Sequence, residues 1–141
     1  MSEDWRAWLW KTLGEQFNVP SLSDCVLLVA GRREEEKKEK VYVHKLVLSL
    51  HSPILGRQLF SAHGAKQELD LSETERDIDT FTEFMQCLYD NGASITEDNV
   101  ETLLGLARKY QVRWLQMRCL NYIARHFSND DALFMVISEG Y

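Results

Sequence analysis

Three cysteines (Cys25, Cys87 and Cys119) and four histidines are the residues of this 141-residue chain whose types could carry nucleophilic or metal chemistry. Neighbouring strands could set Cys25 beside His44, and a Cys–His pair makes a thiolate nucleophile. Cys25 stands in an aliphatic run, however, where burial raises a thiol pKa and suppresses reactivity. A structural cysteine beside a hydrogen-bonded histidine is the better account of that pair. The cysteines never approach Cys-x-x-Cys spacing, which excludes a zinc site built from contiguous motifs. Carboxylates crowd residues 68–79, but in a loop and at a helix start, where Asp77 and Asp79 complement a helix dipole rather than exchange protons. Phosphate-loop, dinucleotide and nucleophile-elbow glycine patterns are all absent from the sequence. The chain reads as a non-enzyme with no catalytic residue, cofactor or metal.

The bulk properties bound what such a chain can do. Its length suits one domain with short flanks, and 45% hydrophobic residues with four Trp suffice for a folded core. A formal charge of −6 argues against direct nucleic-acid binding, because chains that grip phosphate backbones present a net basic surface. The acidity is uneven: in residues 68–79 six carboxylates face Arg76 alone, a net of −5. Widely spaced cysteines in odd number read as reduced, buried thiols, and no leader or membrane span is evident. A cytoplasmic or nuclear location is expected, with no membrane partner.

Several elements must position whatever surface the chain uses. Trp5, Trp8, Leu9, Leu13 and Phe17 form an apolar stripe on a helix predicted to start near Ser2 or Glu3 and to stop at Asn18 and Pro20. Arg6 and Lys11 are balanced by Glu3, Asp4 and Glu15, so packing on protein is favoured over a lipid surface. Cys25 to Ala30 reads as a strand covered on both faces, and Val41 to Leu48 as the next strand. The charged run from Arg32 to Lys40, net +1, reads as a solvated hairpin tip.

Further along, Ser52-Pro53 signals a helix start, with Ile54, Leu55, Leu59 and Phe60 on its apolar face. A loop is expected over Ser61 to Lys66, then a short strand over Gln67 to Leu71 with Leu69 and Leu71 inward. Helices follow, capped by Asp79 (ending at Asn91-Gly92), by Thr96, over Arg113 to His126, and from Ser128 or Asn129. Strands early and helices late predict an α+β domain, helices packed around a small sheet.

Three groups of residues carry a family resemblance: Ser23-Asp24 before the first aliphatic strand, the His44-Lys45 run before Ser52-Pro53, and Phe81-x-x-Phe84-Met85-x-x-Leu88-Tyr89. The string from Ile95-Thr96 through Ala107, Tyr110, Val112 and Leu115 to Cys119 continues it. Together they resemble a BTB/POZ domain over about residues 21–127. The resemblance implies the BTB/POZ fold, a small, mainly three-stranded sheet flanked by a cluster of helices. Residues 1–20 would then be an N-terminal aromatic helix and 128–141 the start of a C-terminal helical extension, the chain being a piece of something longer.

Many members of that family self-associate, which implies a homodimer or larger oligomer through Trp5, Trp8, Leu9, Leu13, Phe17, His44 and Leu48. Many also serve as substrate adaptors for a cullin-3 ubiquitin ligase. That surface carries over to Leu59, Phe60, Ser61, His63, Tyr89 and Asp90. One departure stands out: cullin-binding members often place a hydrophobic residue two before a Glu in the loop preceding the third strand, whereas Lys66 precedes Glu68 here. Other family uses are co-repressor recruitment in a groove at the dimer interface and scaffolding or polymerisation without cullin-3.

Overall fold

The computed structural model describes residues 4–31, 37–61, 64–65, 67–89 and 94–138. The chain opens with helix α1 (Trp5–Glu15), begun by Asp4, whose carboxylate accepts from the Arg6 amide. Asn18 then takes a left-handed backbone (φ 59°), a conformation its short amide side chain tolerates, and the chain turns away from the helix. Its amide N–H donates to the Tyr42 carbonyl and its side-chain oxygen accepts from the Tyr42 N–H. The end of α1 is thereby pinned to the sheet.

A mixed sheet follows. Strand β1 (Cys25–Val29) pairs antiparallel with β2 (Glu39–Val43) and parallel with β5 (Glu68–Asp70), giving the order β2-β1-β5. Cys25, Leu27 and Val29 are buried while Val26 and Leu28 are only half-buried. So β1 is hydrogen-bonded on both edges but fully covered on one face alone, a correction to the expectation of two covered faces. Between β2 and β5 run helices α2 (Lys45–His51) and α3 (Pro53–Leu59) and a two-residue ladder of β3 (Phe60–Ser61) with β4 (Gly64–Ala65).

The predicted strand Val41–Leu48 is thus half strand and half helix. The break falls at His44, and Asp24 caps the new helix by accepting at 2.9 Å from the N–H of Lys45, 21 residues further on. The short ladder likewise replaces part of the loop expected over Ser61 to Lys66.

Four helices complete the domain: α4 (Ile78–Tyr89), α5 (Val100–Lys109), α6 (Arg113–His126) and α7 (Asn129–Ser138). Asp77, rather than Asp79, caps α4, accepting from the amides of Asp79 and Thr80. Thr96 stands one turn before α5, where its carbonyl accepts from Val100. Ser128 caps α7 by accepting from the Asp131 N–H at 3.3 Å, and α6 spans the expected residues. The predicted stop at Asn91-Gly92 lies outside the described residues.

Two buried polar contacts tie distant segments together. Ser52 is fully buried; its hydroxyl accepts from the Leu55 N–H at 3.0 Å and donates to the Tyr110 carbonyl at 2.6 Å. One side chain therefore caps α3 and satisfies a carbonyl at the end of α5. Glu75, also buried, accepts from the Lys109 ammonium and the Tyr110 hydroxyl. Burial, reinforced by the Glu75 carboxylate, pushes the Tyr110 phenol far above its ordinary pKa, so it acts as a donor throughout. The core between sheet and helices is continuous, from Leu27 and Val43 through Phe84 and Leu104 to Cys119.

Candidate interaction surface

The aromatic stripe of α1 divides along its length. Leu13 and Phe17 pack against the core, the Phe17 ring lying 5.1 Å from Tyr89. Trp5, Trp8 and Leu9 face outward, 63%, 62% and 50% exposed. Water disfavours so much contiguous apolar area on one helix, so this end of α1 is a surface built to be covered.

Helix α2 adds a second apolar face. Turning from strand to helix at His44 changes the period from two to 3.6, which buries Lys45 and Leu48 and turns Leu46 and Leu50 out, 67% and 74% exposed. Leu48, expected at a dimer face, is instead fully buried, because the turn into helix at His44 points it to the core. His44 is half-buried: its backbone N–H donates to the Tyr89 hydroxyl at 2.7 Å, and its Nδ1 lies 2.8 Å from the same oxygen. Leu46 and Leu50 are absent from any strand-based reading of this run. The signal that finds them is helical spacing counted from the residue after His44.

The second expected surface is only partly visible. Leu59 and Tyr89 have no exposed area, Phe60 is 52% exposed, and Ser61 contributes backbone to the β3–β4 ladder. His63 and Asp90, like Lys66, lie outside the described residues. Phe60 is thus the member of that set seen to offer side-chain surface. Burial, partly offset by the bond from His44, raises the Tyr89 phenol well above its usual pKa and keeps it neutral.

Trp10 and Trp114 meet where α1, α2, α4 and α6 converge. With His51, Cys87, Leu88 and Arg118 they line a cleft of about 290 Å³. The Trp114 indole N–H donates to His51 Nδ1 at 2.9 Å, which requires that nitrogen to be unprotonated. Burial lowers the His51 pKa, opposed by its bond to the Leu88 carbonyl. Residues from four elements make this cleft, so no sequence window displays it.

The thiols are placed for packing. Burial raises the pKa of Cys25, with Lys45 opposing, and pushes Cys119 up to about 12, so both are held as thiols at neutral pH. Among the described residues, no cluster of three or more His, Cys, Asp or Glu could hold a metal ion, and no helix is long and apolar enough to cross a membrane.

A small mixed sheet wrapped by helices, with apolar helix faces left uncovered, is the architecture of a protein-interaction domain. The model of the BTB/POZ domain matches residues 13–127, and the chain belongs to that family. It is 28% identical over 126 residues to BTB/POZ domain-containing protein 17 of Xenopus tropicalis, covering 89% of this chain and 26% of that protein. Kelch-like protein 40 of the same species is 27% identical over 126 residues, 86% of this chain and 19% of its own length. BTB and MATH domain-containing protein 38 of Caenorhabditis elegans is 29% identical over 86 residues, 61% of this chain and 22% of that protein. The chain thus spans about a fifth to a quarter of these relatives.

Proposed function

We propose that this BTB/POZ domain is a non-enzymatic assembly module that self-associates and serves as the adaptor end of a cullin-3 ubiquitin ligase. The observation that carries self-association is the uncovered face of α1, where Trp5 and Trp8 remain more than 60% exposed while the same helix is anchored at its other end. Leu46 and Leu50 of α2 supply a second apolar face of the kind a dimer covers. Burial of these aromatic and aliphatic anchors is the driving force, with binding energy concentrated at the Trp side chains.

The cullin-3 half of the reading is supported by similarity to Kelch-like proteins and by the exposed Phe60 beside the β3–β4 ladder. Lys66 places a cation where cullin-binding members carry a hydrophobic residue, so a weak rather than a tight complex is expected.

Light scattering on the purified chain, alone and mixed with the N-terminal region of cullin-3, tests both halves. A dimer whose mass rises on mixing is the expected result. A dimer that ignores cullin-3 removes the adaptor role and leaves co-repressor binding or scaffolding; a monomer at all concentrations removes self-association.

A further inference from the structure

We infer that His51 and Trp114 form a proton-operated latch that seats helix α1, so that acid loosens the helix and weakens the self-association it mediates. The effect on self-association rests on the role proposed above for α1; the latch itself does not.

The latch joins two helices through residues 63 positions apart. The Trp114 indole N–H donates at 2.9 Å to Nδ1 of His51, the last residue of α2, and the two rings meet edge to face with centroids 5.7 Å apart. An indole nitrogen only donates, so Nδ1 keeps its lone pair. The proton of the neutral ring then sits on the other nitrogen, which bonds to the Leu88 carbonyl. A second proton has only Nδ1 to go to, where it sets a donor against a donor. Protonation therefore breaks the bond to Trp114 outright.

The plainer account is a histidine that merely satisfies a half-buried indole. An amide or a backbone carbonyl would do so at every pH. Imidazole is the acceptor that a proton takes away close to neutrality. Burial lowers the His51 pKa, the sign expected where the closed arrangement excludes that proton.

Release of Trp114 reaches α1 through Trp10, which lines the same cleft with Cys87 and Leu88 of α4. Leu13, Phe17 and Asn18 hold the helix at and beyond its C-terminal end. Trp10 is the cleft residue nearest the open end that carries Trp5, Trp8 and Leu9. Among the described residues lining the cleft, the Cys87 thiol of α4 and the Arg118 guanidinium of α6 are the other titratable or charged groups, and α1 contributes Trp10 alone. The latch depends on the direction of two hydrogen bonds and on the charge of neither group. Because the closed form binds the proton less well than a free imidazole, it holds above pH 6.5. Below that value the open form gains by up to about tenfold per pH unit in each protomer, until the lowered pKa is passed.

The test is a titration of the ¹⁵N-labelled chain from about pH 7.5 to about pH 5. NMR follows the His51 ring nitrogens and the Trp10 and Trp114 indole N–H signals, and sedimentation equilibrium gives the mass at each pH. One transition below pH 6.5, shared by the ring and both indoles, is expected, with a dimer dissociation constant that rises alongside it. His51→Gln keeps an acceptor for Trp114 and a donor for the Leu88 carbonyl but does not titrate, so its indoles should stay still. Comparison with that variant removes the effect of every other titrating group. Trp114→Phe keeps a ring without the donor and should raise the His51 pKa; it carries the test if the Gln variant does not fold. A His51 that titrates while the Trp114 indole stays put overturns the inference. So does a Trp10 signal blind to the transition, or equal indole shifts in His51→Gln. Indoles that move while a dimer keeps its dissociation constant overturn the link to self-association. A chain that is monomeric at every pH removes the proposed self-association, and the indole signals then decide the latch alone.

Discussion

Replacing Trp5 and Trp8 together by Ala should dissolve the oligomer and leave the fold intact. Burying an aromatic side chain completely stabilises by about 1.5–3 kcal/mol. Because the two indoles are still 63% and 62% exposed, about 1–2 kcal/mol from each awaits a partner. A symmetric dimer contains the pair twice, so the double substitution removes about 4–8 kcal/mol of association energy and weakens the dimer by about 10³- to 10⁶-fold. Neither side chain belongs to the core, so the monomer should change by no more than about 0.5 kcal/mol. Sedimentation equilibrium across a dilution series reads the first quantity and urea unfolding the second. The wild-type unfolding midpoint should rise with protein concentration and that of the variant should not. An unchanged mass refutes the dimer role of α1. A variant that loses several kcal/mol as a monomer refutes the premise that these indoles face outward.

Three smaller tests probe the scaffold. Ser52→Ala removes a helix cap, about 1 kcal/mol, and strips a buried carbonyl of its donor, about 1–3 kcal/mol, so a loss of about 2–4 kcal/mol is expected in urea unfolding. A loss confined to the cap value would mean that the bond to Tyr110 contributes nothing. His51 has its pKa lowered in the fold, so the folded protein binds fewer protons than the unfolded chain as pH falls below the ordinary His value of 6.5. Stability should hold above that pH and decline beneath it, and His51→Gln should flatten the decline; parallel curves for the two proteins would rule out His51 as its source. Gln111 ends α5 with a left-handed backbone (φ 57°), so Gln111→Gly should raise stability by about 0.5–1 kcal/mol in the same assay, and a loss would show that its side chain matters more than its backbone.

Much of this fold was legible where the signal is local. Ser52-Pro53 announces α3 because a hydroxyl cap and a first-turn proline act within three residues of one another. The Val41–Leu48 run defeated the same approach, since its apolar residues satisfy strand and helix periods alike and Asp24, 21 residues away, decides the switch. That error hid Leu46 and Leu50, the exposed residues of α2, and placed Leu48 at a surface where it has none. The α1 stripe was readable from spacing, but its division into an anchored end and an open end depends on where Asn18 fastens to the sheet. The tryptophan-lined cleft was beyond reach, because Trp10, His51 and Trp114 meet only after four elements have packed.

The fastening of Asn18 to Tyr42 bears on the exposed edge of the sheet. Strand β2 is an edge of its sheet, and an uncovered edge invites another chain to add a strand, which is how many native proteins begin to aggregate. Asn18 offers Tyr42 both a donor and an acceptor, as a neighbouring strand would, and so occupies one outward rung. The next such rung along β2 falls at Lys40, whose exposed charge discourages pairing with a foreign strand. The residue that fixes where the open end of α1 lies also helps to close the sheet edge to foreign strands.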